Sequence, residues 1–198
     1  VSTDATSTAN LTFVDGTTDA LYIADDAALA IGSNDFKITM WYRPDDATPS
    51  GNRYLATHGS ASGGGQVSWL LQHVTSTGKI RFYFSTDGTT LQSILGSTTL
   101  SDNTWHYIEI SRSGTDLRLF IDGVQDAIDT SGGDTLHDST AALCIGANDI
   151  SGGFCITGYF EDFVFVNGAA GNTAGYTVPA TEFVAAGVDR NLLSNTFT

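Results

Sequence analysis

Lys79-Ile-Arg-Phe-Tyr-Phe-Ser-Thr86 is the stretch whose reading decides the fold. Ile80, Phe82 and Phe84 fall on alternate positions, the period of a half-buried β-strand. Asp87-Gly88 then reads as a turn. Downstream, Trp105-His-Tyr-Ile-Glu-Ile-Ser-Arg112 offers Ile108 and Ile110 to one face, and after a break at Ser113-Gly114 the pattern recurs in Leu117, Leu119 and Ile121. Asp122-Gly123 fits a two-residue hairpin turn, because both centres of a type I′ turn need positive φ. Residues 79–129 therefore predict an antiparallel meander.

Outward from this centre the same period continues. Phe36, Ile38, Met40 and Tyr42 form the apolar face of a strand that Pro44 ends, and Val67, Trp69 and Leu71 alternate in another. Tyr54–Thr57 and Leu91–Leu95 read as short strands. Leu143 and Ile145 are expected to pair with Phe154 and Ile156 across residues 148–153. Leu21 and Ile23 are expected in the core. Asp25-Asp26 precedes Ala-Ala-Leu-Ala-Ile, where an Asp can cap one helical turn before Gly32 stops it. Phe160 has the opposite parity to Phe163 and Phe165, so a bulge is expected at Glu161-Asp162. The run His58 to Gly65 is too glycine-rich to pack and reads as a mobile loop, and residues 130–140 as a second, polar one.

The chain has 198 residues, 22 glycines and three prolines. That length suits one all-β domain, predicted over residues 11–184, with a polar arm at 1–10 and a tail at 185–198 in which Leu192-Leu193 is a small apolar spot. The net charge of −14 repels phosphate backbones and anionic lipid, which argues against nucleic acid and membrane insertion. The Ser/Thr-rich start shows neither the basic nor the apolar segment of a signal peptide; either one was cleaved or export takes another route. Cys144 and Cys155 either face one another across a hairpin or stay unpaired in the core.

The wording of these strands resembles a known family. Trp105-His106 followed by Leu117-Arg-Leu-Phe-Ile-Asp-Gly123 is similar to a motif of laminin-G-like, concanavalin A-like jelly-roll domains. Phe13-Val-Asp-Gly16 with Leu21-Tyr-Ile23, the strand at Phe36–Pro44, Cys144-Ile-Gly146 and Gly158–Gly168 resemble its other strands in the expected order. The resemblance covers residues 11–183 and implies a two-sheet antiparallel jelly roll. It also implies a place to look for structural calcium, since related domains hold one where the opening turn meets the closing strand; Asp15 and Asp162 are the matching oxygen ligands. The alternative for Asp162 is that it serves the bulge. A loop set of Asp134, Asp138 and Asp149 is a weaker candidate.

Glucanases share this architecture and need two opposed carboxylates. No Glu-x-Asp-x-x-Glu run occurs: Glu109, Glu161 and Glu182 are the only glutamates, each isolated from another acid at that spacing. No Gly-x-Ser-x-Gly elbow and no zinc-ligand spacing is present, and His106 reads as a hydrogen-bonded structural residue. The chain is expected not to be an enzyme. The residues alternating with the apolar set, Arg81, Tyr83, Tyr107, Glu109, Arg118 and Phe120 with Trp41, are expected to form one aromatic and polar face suited to a pyranose ring. The competing expectation is that these strands divide between two sheets, or that loops cover Trp41 and Phe120.

Residues 21–44 and 157–183 resemble modules in structural proteins of environmental, especially marine, bacteriophages, and similar modules occur in bacterial surface proteins. The resemblance implies an adhesion module on a virion surface or appendage, outside the cell, recognising host cell-surface glycan. A decoration or tail assembly part contacting only other virion proteins competes with it, and a degenerate glycan hydrolase is third. Self-association is left open.

Overall fold

The computed structural model describes residues 11–13, 20–60, 66–151 and 154–179. Its strands are β1 (Leu11–Phe13), β2 (Leu21–Ile23), β3 (Phe36–Pro44), β4 (Arg53–His58), β5 (Trp69–His73), β6 (Lys79–Ser85), β7 (Leu91–Thr99), β8 (His106–Ser113), β9 (Asp116–Ile121), β10 (Val124–Asp129), β11 (Leu143–Ile145) and β12 (Gly158–Asn167). They form two antiparallel layers: a first sheet in the order β1-β12-β3-β8-β9-β10 and a second in the order β2-β11-β4-β5-β6-β7. This is the expected jelly-roll sandwich. Among the described residues no helix is long and apolar enough to cross a membrane.

The alternations predict the core well. Ile38, Met40, Ile80, Phe82, Ile108, Ile110 and Leu119 are all fully buried between the sheets. Trp69 of the second sheet stacks on Phe165 of the first, with ring centroids 6.1 Å apart and planes 14° apart. Phe165 reaches it because β12 bulges: the register against β3 shifts between Glu161 and Val164, and Asp162 takes a left-handed φ of 49°. Phe160 on one side and Phe163 and Phe165 on the other then all pack against the core. Asp122 and Gly123 have φ of 53° and 77°, as the type I′ turn requires. The Asp26 side chain accepts from the Ala28 N–H at 2.9 Å, capping one helical turn at Ala27–Leu29.

Four expectations are corrected. The meander at 79–129 is divided: β6 and β7 close the second sheet, and the chain crosses at residues 100–105 to begin β8 in the first. Alternation reports which face is apolar but not which layer a strand joins. Leu21 and Ile23 are exposed, because among the described residues β2 is the outermost strand of its sheet and pairs only with β11. The Leu143–Ile145 strand runs between β2 and β4 and not against Phe154 and Ile156; the Ile156 N–H donates to the Gly146 carbonyl just beyond it. Val67 joins a separate cluster with Tyr54 and Leu70 outside the second sheet. Cys144 and Cys155 are both buried and form no disulfide. The arm 1–10, the tail 185–198 and the glycines at 63–65 lie outside the described residues.

Two polar devices hold the layers. Asp126 sits at a bulge in β10 and accepts from the Ser97 N–H at 2.9 Å, the Thr98 N–H at 3.0 Å and both hydroxyls at 2.7 Å. It thereby caps the free edge of β7 and ties the two sheets together along one side. Within the core, His73 donates from Nε2 to the Ala47 carbonyl at 2.8 Å and accepts at Nδ1 from the Tyr42 hydroxyl at 3.2 Å. Burial pushes its imidazole down from 6.5 to about 4. Between those values the unfolded chain binds the proton and the folded one does not. The contribution is therefore complete above about pH 6.5 and is lost as the pH falls toward 4, a change of roughly 3 kcal/mol. Melting temperatures of wild type are expected to fall across that window, and a His73→Gln variant is expected to show a shallower fall; equal slopes would contradict the assignment.

Candidate functional site

The seven residues expected on one face occupy two. Trp41 on β3, Tyr107 and Glu109 on β8, and Arg118 and Phe120 on β9 share the outer face of the first sheet, whereas Arg81 and Tyr83 lie on β6 in the second. The first group is also covered. The segment after β12 crosses it: the Gly171 N–H donates to the Ser111 hydroxyl at 3.0 Å, and Asn172 donates from its backbone and side-chain nitrogens to the two Glu109 oxygens at 2.7 and 2.8 Å. Tyr176 sets its ring edge-on to Phe120 at 5.5 Å and to Tyr107 at 6.4 Å. Burial, reinforced by the neighbouring Glu109 carboxylate, pushes the Tyr176 phenol up. Glu109 is left 1% exposed and Phe120 0%. Trp41 is buried edge-on against Tyr107, and Arg118 pairs with Asp116 on its own strand. The chain's own strap is thus the partner of this platform.

The outer face of the second sheet is covered in part: Tyr54 is 7% and Gln72 1% exposed, Arg81 and Tyr83 are half-buried, and Phe154 stands open. Register places Tyr54 of β4 beside Gln72 of β5, and Gln72 beside Arg81 of β6. Three neighbouring strands span roughly 10 Å, about the width of one or two sugar rings. Arg81 donates from Nη1 to the Tyr83 hydroxyl at 2.6 Å, and its guanidinium carbon lies 5.4 Å from the Tyr83 ring centre. Burial pushes the Tyr54 phenol up, and the Gln72 side chain against it works the other way. The Gln72 Oε1 and Arg81 Nε atoms are buried without a hydrogen-bond partner.

At the edge of this row stands Phe154. Its carbonyl accepts from the Tyr54 N–H at 3.0 Å and its ring meets the Tyr54 ring edge-on at 6.1 Å, yet the side chain is 53% exposed. Its φ of 54° is a left-handed backbone that a bulky residue rarely adopts. Tyr22, on the neighbouring β2, is also exposed and occupies the same outer face through its pairing with Cys144. A solvent-facing ring beside a row of donors and acceptors suits a ligand with one flat apolar face and many hydroxyls. The sequence reading expected Phe154 to pair with the Leu143–Ile145 strand and did not mark Tyr54 or Gln72 as site residues. Their common parity becomes meaningful only when β4, β5 and β6 are aligned.

The other candidates are placed as follows. His106 is buried; its Nε2 accepts from the Ser101 N–H at 3.1 Å and its Nδ1 donates to Asp122 at 2.8 Å, while the second Asp122 oxygen takes the Tyr107 N–H. The Trp-His and Asp-Gly motifs are therefore two ends of one brace. Asp15 lies outside the described residues, and Asp162 occupies the left-handed position of the bulge, a conformation Asp tolerates. Asp134, Asp138 and Asp149 do not converge; no group of three or more His, Cys, Asp or Glu side chains does so among the described residues. Asp149 instead accepts from Ser60 and Asn148, and Asp134 from Gln92.

Solved structures with the same architecture include the CBM40 domain of the Ruminococcus gnavus IT-sialidase bound to α2,3-sialyllactose. It is 12% identical, with a TM-score of 0.60 over 81% of this chain and 91% of that one. The heptameric SAP-like pentraxin from Limulus polyphemus matches at 12% identity and a TM-score of 0.54 over 78% and 72%. The binding domain of Paraclostridial Mosquitocidal Protein 1 matches at 13% and 0.58 over 77% and 38%. At these identities the likeness is one of fold. No curated protein sequence matches the chain. The profile of the concanavalin A-like lectin/glucanases superfamily matches residues 15–177, which takes in every strand from β2 to β12, and the chain belongs to that superfamily.

Proposed function

We propose that this chain is a non-catalytic carbohydrate-binding module whose ligand lies on the outer face of the second sheet, between Phe154 and Arg81. The observation that carries the reading is the exposed Phe154 ring, fixed against Tyr54 at the end of the Gln72 and Arg81 row. A sugar-binding neighbour with the same fold supports it without deciding it. The non-catalytic half is supported by Glu109, whose two oxygens are both held by Asn172 at 1% exposure. An acid so placed can neither protonate a leaving group nor attack a ring carbon. We place the module on a virion surface or appendage, where host glycan is its partner.

A second reading, assembly through protein contacts alone, draws on one observation: Leu21, Tyr22 and Ile23 are each more than 40% exposed on the free edge of β2. Titration of glycan-array hits separates the two. Phe154→Ala is expected to weaken binding about tenfold, the loss of roughly 1.4 kcal/mol of stacking. Trp41→Ala, on the covered face, is expected to leave the affinity unchanged. The reverse pattern would move the site to the first sheet, and binding to no glycan would leave the assembly reading.

A further inference from the structure

We infer that the saccharide taken by this face carries a carboxylate, and that Arg81 is the group that receives it. This rests on the carbohydrate reading above and narrows it to acidic sugars. Among the described Lys and Arg side chains Arg118 alone makes an ion pair, and Arg81 is singled out by its place on the row beside Tyr54, Gln72 and Tyr83. Arg81 makes no ion pair among the described residues; its Nη1 donates to the neutral Tyr83 hydroxyl. Lys79 occupies the same face of β6, two residues away, and likewise has no acidic partner there.

The row around Arg81 supplies no counter-charge. Its cross-strand neighbours are Gln72 on β5 and Leu95 on β7, and Tyr54 follows Gln72 on β4. Gln72 is 1% exposed with its side-chain oxygen unpartnered, so it adds no charge to the row and is not itself open to solvent. Tyr83 holds one arm of the guanidinium, which fixes the plane of the fork before a ligand arrives. A planar fork matches a planar carboxylate through two parallel N–H···O bonds. A sulfate ester would draw on a cluster of cations, and here there is one guanidinium with one ammonium beside it. The net charge of −14 does not forbid this, since fields from charges beyond about 8 Å are largely screened at physiological salt.

The test uses matched pairs on one array: sialyllactose with lactose, oligogalacturonate with its methyl ester, and a hyaluronan oligosaccharide with its carboxyl-reduced form, alongside sulfated but uncarboxylated oligosaccharides. Wild type is expected to favour the carboxylated member of at least one pair by about tenfold or more. Arg81→Gln is expected to abolish that preference while keeping any binding to the neutral member, with an unchanged melting temperature showing that the fold is intact. Equal binding to both members, or a preference that follows sulfate, would overturn the inference while Phe154→Ala still reports a sugar site. Binding to none of the probes, or binding indifferent to Phe154→Ala, would overturn the carbohydrate reading with it.

Discussion

Arg112→Ala is expected to lower the unfolding free energy by about 3–5 kcal/mol, through several charge-assisted hydrogen bonds lost to backbone carbonyls and the cavity left behind. The side chain is fully buried near the end of β8. It donates to the backbone carbonyls of Gly32 at 2.7 Å, Asn34 at 2.9 Å and Asp134 at 2.7 Å. Its guanidinium also lies 5.2 Å from the Phe36 ring centre. One cation thus joins the turn before β3, the long polar loop after β10 and β8 itself. Alanine would strand those acceptors and leave a cavity, and lysine would restore at most part of the set. For a domain of this size the loss corresponds to a fall in melting temperature of roughly 6–20 °C. A change below about 1 kcal/mol, the effect of an ordinary surface substitution, would contradict the assignment.

Trp69→Ala is expected to cost a comparable amount, about 3–5 kcal/mol, through lost burial and the cavity it leaves. Trp69 is 1% exposed and stacks on Phe82 within its own sheet and on Phe165 across the sandwich. The second contact depends on the β12 bulge, which turns Phe163 and Phe165 inward after Phe160. Trp69→Phe keeps an aromatic filler and is expected to cost less than half as much. Chemical denaturation of the pair measures both; equal costs would mean that the cross-sheet stack contributes little.

The core was legible because its signal is local. A strand buried on one face writes its period into five to nine residues, so Phe36 to Tyr42, Ile80 to Phe84 and Leu117 to Ile121 could be oriented without knowing their neighbours. Turns with special backbone angles were equally readable, as at Asp122-Gly123 and Asp162. Which sheet a strand joins is decided by pairing between distant segments, and no local period records it. That is why Arg81 and Tyr83 were grouped with Trp41, Tyr107 and Glu109. The strap at 168–178 was hidden for a related reason: Asn172 and Tyr176 look like loop residues, and only the fold brings them onto Glu109 and Phe120. Phe154 was placed opposite the Leu143–Ile145 strand because the intervening glycines read as a hairpin turn, whereas that strand pairs with β2 and β4.

The most direct measurement of where ligand sits is a titration of the 15N-labelled protein with the best-binding array glycan, followed amide by amide. The shifts are expected to concentrate at residues 54, 70–72, 81–83 and 154, on the outer face of the second sheet. Shifts concentrated at Trp41, Tyr107, Phe120 and the strap at 171–176 would contradict the account and return the site to the first sheet.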